Sequence, residues 1–398
     1  MNNSLQPSRY FLLMIIVATV VFYSCQKEET ETTTSIGVTL PITGDSPIDI
    51  EAHNYLIELA VEDVNQYFVD NNINFKVKAD IKDSENSPAG IIDALHYFTK
   101  AGIQYVASSG ISSNIRDAES TINSFEGAII HSSSTAVSLA KNDNLFRIIP
   151  NDLATVSEIS DMLESDNIKK LIILYRTDDW GTGLDTILAR QYEALGNEVY
   201  SIAYDPRFLP DIVEEVISEV EAKYDEYIQQ STADEIGLTV FGFNEISDFL
   251  ISAAITNKLL NIKWYGSDGF VINDFLVNNS DVAPIAATVN ISCPAIAEPT
   301  TVNYQQVQEK VEVKLGYSPR TNNYLIYDAF WAAAIACSKN MTGPVEAVKQ
   351  AFTEGCYISG SFTVDENGDR EDCEYELWHI VNDNGTYCWS KRNLRNSL

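Results

Sequence analysis

From Ile36 onward, short β-branched runs alternate with longer stretches whose apolar residues fall at helical spacing. Ile36-Gly37-Val38-Thr39-Leu40 reads as a brief strand. In Glu51 to Phe68, residues Leu56, Leu59, Ala60, Val64 and Phe68 recur at the period of a helix. Phe75 to Ile81 alternates as a second strand and Pro88 to Lys100 follows as a helix. Further strands are expected at Gln104 to Ala107 and Ala128 to Ile130, with a helix after Ser112 running to about Phe125, and Phe146 to Pro150 closes the series. A second series then begins with a helix over Leu153 to Leu163. Its strands are Lys170 to Tyr175, Glu198 to Ala203, Ile236 to Phe241 and Ile262 to Tyr265, separated by helices over Gly183 to Leu195, Asp211 to Tyr227 and Glu245 to Thr256. This alternation predicts βαβ units on parallel sheets, and two series in tandem predict an α/β protein of two doubly wound lobes. Near the C-terminus, Phe362 to Val364, Tyr375 to Val381 and Thr386 to Trp389 read as a β-meander added to a sheet edge.

The start of the chain has a different pattern. Arg9 precedes a nearly unbroken apolar run from Tyr10 to Phe22, too short to favour a membrane span, which stops at Tyr-Ser-Cys. A small residue followed by Cys after such a run resembles a bacterial lipobox, so residues 1–25 are expected to be a lipoprotein signal peptide with Cys25 as the acylated residue. Gln26-Lys27-Glu28-Glu29 resembles the acidic export tag of surface lipoproteins, and residues 26–35 read as a flexible tether. The body is expected outside the cytoplasm, held by lipid on the periplasmic or cell-surface side.

Charge narrows the function further. Acidic residues outnumber basic ones 57 to 26, a formal charge of −31, and no basic stripe relieves it. Nucleic acid is excluded as a partner. The four histidines show no ligand-like spacing, and no Gly-x-Ser-x-Gly elbow or phosphate-binding Gly-Lys-Ser/Thr appears. No cofactor, metal or catalytic residue is expected. Asp365, Asn367, Asp369 and Glu376 have some calcium-loop spacing, but Gly368 falls at the wrong position, and a hairpin turn is the better reading. Five cysteines lie beyond Cys25. None forms a Cys-x-x-Cys pair, and Cys337 with Cys356 is the first choice for a disulfide.

Several segments, in order, resemble the type I periplasmic solute-binding proteins, specifically the branched-chain amino-acid and amide receptor group. They are Leu40 to Gly44, Glu58 to Asn65, Ser109 to Ser113 (with Gly110 where that group has Pro), His131 to Ala136, Trp180 to Gly183, Gly242-Phe243, Tyr265 to Gly269, Tyr327 to Ala329 and Asp365 to Asp369. The resemblance implies a Venus-flytrap fold whose chain crosses between lobes three times, near Pro150, Pro294 and Ser359. Lobe 1 would comprise residues 36–150 and 295–358, and lobe 2 residues 151–294 and 359–398. It implies an extracytoplasmic binding protein that closes on an amino acid or similar small amphoteric solute and delivers it to an ABC-type permease. The alternative is a sensor of the same fold coupled to a signalling partner.

The implied cleft residues make chemical sense. Ser112, Ser113, Ser133 and Thr135 offer hydroxyls to a carboxylate or amide oxygen. Asp268, on a Gly-flanked loop, suits an ammonium group, while Trp180, Phe243 and Tyr324 supply apolar walls. Asp49, where the group has an aromatic or small residue, would add a second carboxylate and favour a more polar or cationic ligand.

Overall fold

The computed structural model describes residues 33–44, 48–339, 341 and 343–392. The expected leader, Cys25 and most of the tether lie outside these residues. Among the described residues, twelve strands form two sheets. The first contains β1 (Thr33–Leu40), β2 (Lys76–Asp83), β3 (Tyr105–Ser108), β4 (Ala128–His131) and β5 (Leu145–Arg147), ordered β2-β1-β3-β4-β5 and parallel throughout. The second contains β6 (Lys170–Arg176), β7 (Glu198–Tyr204), β8 (Ile236–Phe241), β9 (Lys263–Tyr265) and β10 (Ser292–Ile296), joined by β11 (Tyr375–Asp383) and β12 (Thr386–Arg392). Read from β7 its order is β7-β6-β8-β9-β10, the same winding as the first sheet, and β11 and β12 extend it antiparallel. Each sheet reverses strand order beside its first strand, which opens a crevice at the carboxyl ends.

Strands β3, β4 and β8 are buried along their whole length, as strands covered on both faces must be. Much of the first sheet's cover comes from late in the chain. The helix Leu325–Ser338 is apolar nearly all round and packs against the helix Ile50–Asp70, and Tyr304, Val311, Val348 and Phe352 join the same core. A third apolar cluster mixes the two lobes, bringing Ile115 and Leu139 together with Leu184 and Leu188.

The C-terminal meander is only partly formed. Phe362 to Val364 makes no regular strand. Phe362 belongs to the first lobe's core, and Asp369 makes an isolated parallel bridge to Arg147 of β5. Residues 371–374 then lead from this segment to β11 of the second sheet. A buried charge holds the segment in place: Arg147 donates to both carboxylate oxygens of Asp369 and to the carbonyls of Ser134 and Ala136. Residues 365–368 form the expected turn, with Gly368 at φ +81° and Asp365 Oδ1 accepting from the amides of Asn367 and Asp369. Cys337 and Cys356 are not bonded to each other. All five described cysteines are free thiols, and Cys356 is exposed while Cys337 is half-buried.

Candidate functional site

The loops that leave β1, β3, β4, β6, β8 and β9 at their carboxyl ends converge on one cavity between the lobes. The first lobe contributes Ile48, Gly110 to Ser113, Ser133 and Thr135; the second contributes Asp178, Trp180, Phe243, Asp268 and Gly269. Arg320, Asn322, Asn323 and His53 complete the lining from segments packed on the first sheet. The cavity has room for about five to seven water-sized groups.

Local sequence explains several placements. Asp178 caps the helix Asp179–Ala194 by accepting from the Gly181 amide, so Trp180 sits in the first turn and faces the cleft. Its indole stacks on Phe243 with ring centroids 4.9 Å apart and planes 15° apart. Gly269 is required beside this pair, because a Cβ there would lie 2.3 Å from the Gly242 carbonyl oxygen and 2.7 Å from the Trp180 ring. Arg176 bonds to Asp178 and Glu245 and lies over the Phe243 ring.

The serine loops are held by a buried relay. Thr39 Oγ1 donates to Ser108 Oγ at 2.8 Å, and Ser108 lies 3.0 Å from His131 Nδ1. His131 Nε2 lies 2.8 Å from Ser134 Oγ, which donates to the Gly110 carbonyl. One tautomer satisfies every link, with Nδ1 accepting and Nε2 donating. Burial, then the Arg147 charge, pushes the His131 pKa down to about 3, so the ring stays neutral. Ser133 is drawn into the same lock, since its hydroxyl accepts from the Gly110 amide and donates to the Gly110 carbonyl. Ser112 Oγ accepts from the Ala136 amide, whereas the Ser113 hydroxyl has no partner among the described residues.

The lobes touch across this cavity. Trp180 Nε1 donates to Thr135 Oγ1 at 3.1 Å, Ser138 donates to Asp179, and Arg320 lies 3.5 Å from the Asp268 carbonyl oxygen. Asp268 Oδ1 is buried without a hydrogen-bond partner among the described residues, and so are both carboxylate oxygens of Asp152. Asp152 is fully buried directly after the first crossing, where its amide donates to the Thr135 carbonyl. Burial, then the Asp268 charge, pushes the Asp152 carboxyl up to about 8. Burial also raises the Asp268 pKa, opposed by the Arg320 cation.

Seven of the nine expected ligand residues line this cavity: Ser112, Ser113, Ser133, Thr135, Trp180, Phe243 and Asp268. Two do not. Asp49 caps the helix Ile50–Asp70 and accepts from the Tyr317 hydroxyl at 2.8 Å, which spends its carboxylate outside the cavity. Tyr324 packs on Tyr304 and borders a separate surface groove. Arg320, Asn322 and Asn323 were not anticipated, because nothing in Arg-Thr-Asn-Asn distinguishes a cleft segment from a solvated turn. Among the described residues no group of His, Cys, Asp or Glu could hold a metal, and no helix is long and apolar enough to cross a membrane.

Residues 57–383 match the family model described as the receptor family ligand binding region. An uncharacterised protein of Methanocaldococcus jannaschii is 23% identical over 410 residues, covering 94% of this chain and 95% of its own. Among solved structures, an ABC transporter substrate-binding protein from Desulfitobacterium hafniense in complex with Leu superposes with a TM-score of 0.69 at 19% identity, over 90% of this chain and 100% of the other. One from Sphaerobacter thermophilus reaches a TM-score of 0.71 at 16% identity, over 91% of this chain and 97% of the other. At these identities the likeness establishes the two-lobed fold.

Proposed function

This chain belongs to the receptor family ligand binding region, and we propose that it is an extracytoplasmic solute-binding lipoprotein that closes on a small amphoteric solute. One observation carries the reading. Inside an interlobe cavity, Asp268 presents a buried, unpartnered carboxylate oxygen, while Ser113 and Arg320 offer donors to a ligand carboxylate. An ammonium at Asp268 forms a charge-assisted bond away from water. The room available suits a compound nearer alanine than leucine in size. The D. hafniense protein of the same fold, solved with Leu, supports the amino-acid class.

The proposal extends to delivery to an ABC-type importer, with a signalling receptor as the second role the fold supports, and to anchoring through Cys25. The two lobes would close as units about three crossings, near residue 150, after Ile296 and at residues 371–374. Protein refolded to strip retained ligand, screened by thermal shift against amino acids, amides, polyamines and sugars, tests the reading. A ligand at 100 times its Kd adds about 2.7 kcal/mol of stability, a readily measured shift. Asp268→Ala is expected to abolish the shift from amino compounds while leaving the ligand-free melt within a few degrees of wild type. A full panel without hits at millimolar concentration would refute the reading.

A further inference from the structure

Behind the cavity just described, the cleft continues toward the strand crossings. Thr135, Asp268, Arg320 and Asn322 line both the first chamber and a second, smaller one, and so form a neck between them. The second chamber is walled by Ile149, Val271, Ile272, Ala295 and Ile296, with Thr155 and Tyr375 among its polar positions. Those two hydroxyls lie 3.3 Å apart and satisfy each other. The chamber has room for about one or two water-sized groups, and its apolar walls suit a methyl or ethyl group better than water, which needs two to four polar partners.

Two independent observations point to a ligand here. At the neck, Asp268 Oδ1 and Asn322 Oδ1 are both buried acceptors without a partner among the described residues, and such groups are costly unless a donor arrives. On the chamber wall, Ile272 holds φ at +52°, a left-handed conformation that is strained for a β-branched residue. Strain of this kind persists where the surroundings enforce it, and it clusters at ligand clamps.

We propose that the hinge-side chamber is a subsite for a small N-alkyl substituent, and that the ligand is a secondary amine whose nitrogen sits at the neck. The proposal rests on the reading of the first chamber as an amino-compound site and specifies its ligand. A secondary ammonium carries two N–H bonds, one for Asp268 and one for Asn322, and its alkyl group enters the apolar chamber. A primary ammonium would direct a third N–H toward aliphatic walls. A quaternary one would leave both acceptors unpaired.

Calorimetric titration of the protein with glycine, alanine, their N-methyl derivatives and trimethylglycine tests this. The N-methyl compounds are expected to bind at least about tenfold tighter than their parents, with trimethylglycine rejected. Ala295→Leu, which fills the chamber, should remove the N-methyl preference while the parents keep their affinity. A melting curve of the ligand-free variant checks that it folds, and the wild-type comparison decides the matter if it does not. Equal or weaker binding of the N-methyl compounds, or a preference that survives in Ala295→Leu, overturns the subsite and leaves the amino-compound reading standing. Binding by none of the five overturns both.

Discussion

Asp152 shows how little of a side chain's role is written in its neighbours. In the sequence it follows Pro150-Asn151 as an ordinary helix-starting acid, whereas in the fold it is a fully buried carboxyl with both oxygens unpartnered. Asp49 is the converse, a residue whose position promised a cleft carboxylate but which caps a helix and binds Tyr317. The Asp152 pKa stands at about 8, above the 3.8 of an unperturbed carboxyl, so the folded state holds this proton more tightly than the unfolded chain does. The resulting stability is fully present below pH 3.8 and is lost as pH rises through about 8. Asp152→Asn cannot titrate. Its melting temperature is therefore expected to fall less than that of the wild type between pH 6 and 9, and parallel curves would contradict the assignment. His131 has the opposite sign: its depressed pKa gives stability present above pH 6.5 and lost as pH falls toward about 3.

Among the elements, those with strong periodicity were legible and those set by long-range pairing were not. The alternation of β-branched runs with amphipathic helices specified nine of the ten parallel strands, all but β10, because the side-chain periods of strand and helix differ. The helix carrying Trp180 begins at Asp179, earlier than the Gly183 its apolar pattern implied, since Asp178 caps it. Phe362 to Val364 looked like the first strand of a meander. It left that sheet because Arg147, 222 positions from Asp369, draws the following turn onto the first lobe. Removing one partner of this buried pair is expected to cost about 3–5 kcal/mol. Chemical denaturation of Asp369→Asn measures that loss, and Arg147→Met combined with Asp369→Leu should recover most of it. A loss within about 0.5 kcal/mol would mark the pair as incidental.

For the whole molecule, the described state is joined across its cleft by Trp180 to Thr135, Asp179 to Ser138 and Arg320 to the Asp268 carbonyl. These contacts exist only when the lobes are together, so each biases the equilibrium between open and closed forms. Thr135→Val removes one acceptor at nearly constant volume. It is expected to raise the ligand-free radius of gyration in small-angle scattering and to weaken ligand binding by about fivefold to tenfold, the value of one hydrogen bond. An unchanged radius and affinity would mean that the bond carries no share of closure. By itself the sequence determined the α/β class and the two windings, because local periodicity and strand-end loops are set by residues close in the chain. The cleft positions of Ser113, Thr135, Trp180 and Asp268 were legible only through the resemblance of their motifs to a known family. Only the tertiary structure decided that Asp49 and Tyr324 stand outside the cavity and that Asp152, Arg320 and Asn322 stand in or against it. Burial and charge pairing depend on which distant segments meet, and no short stretch of sequence carries that information.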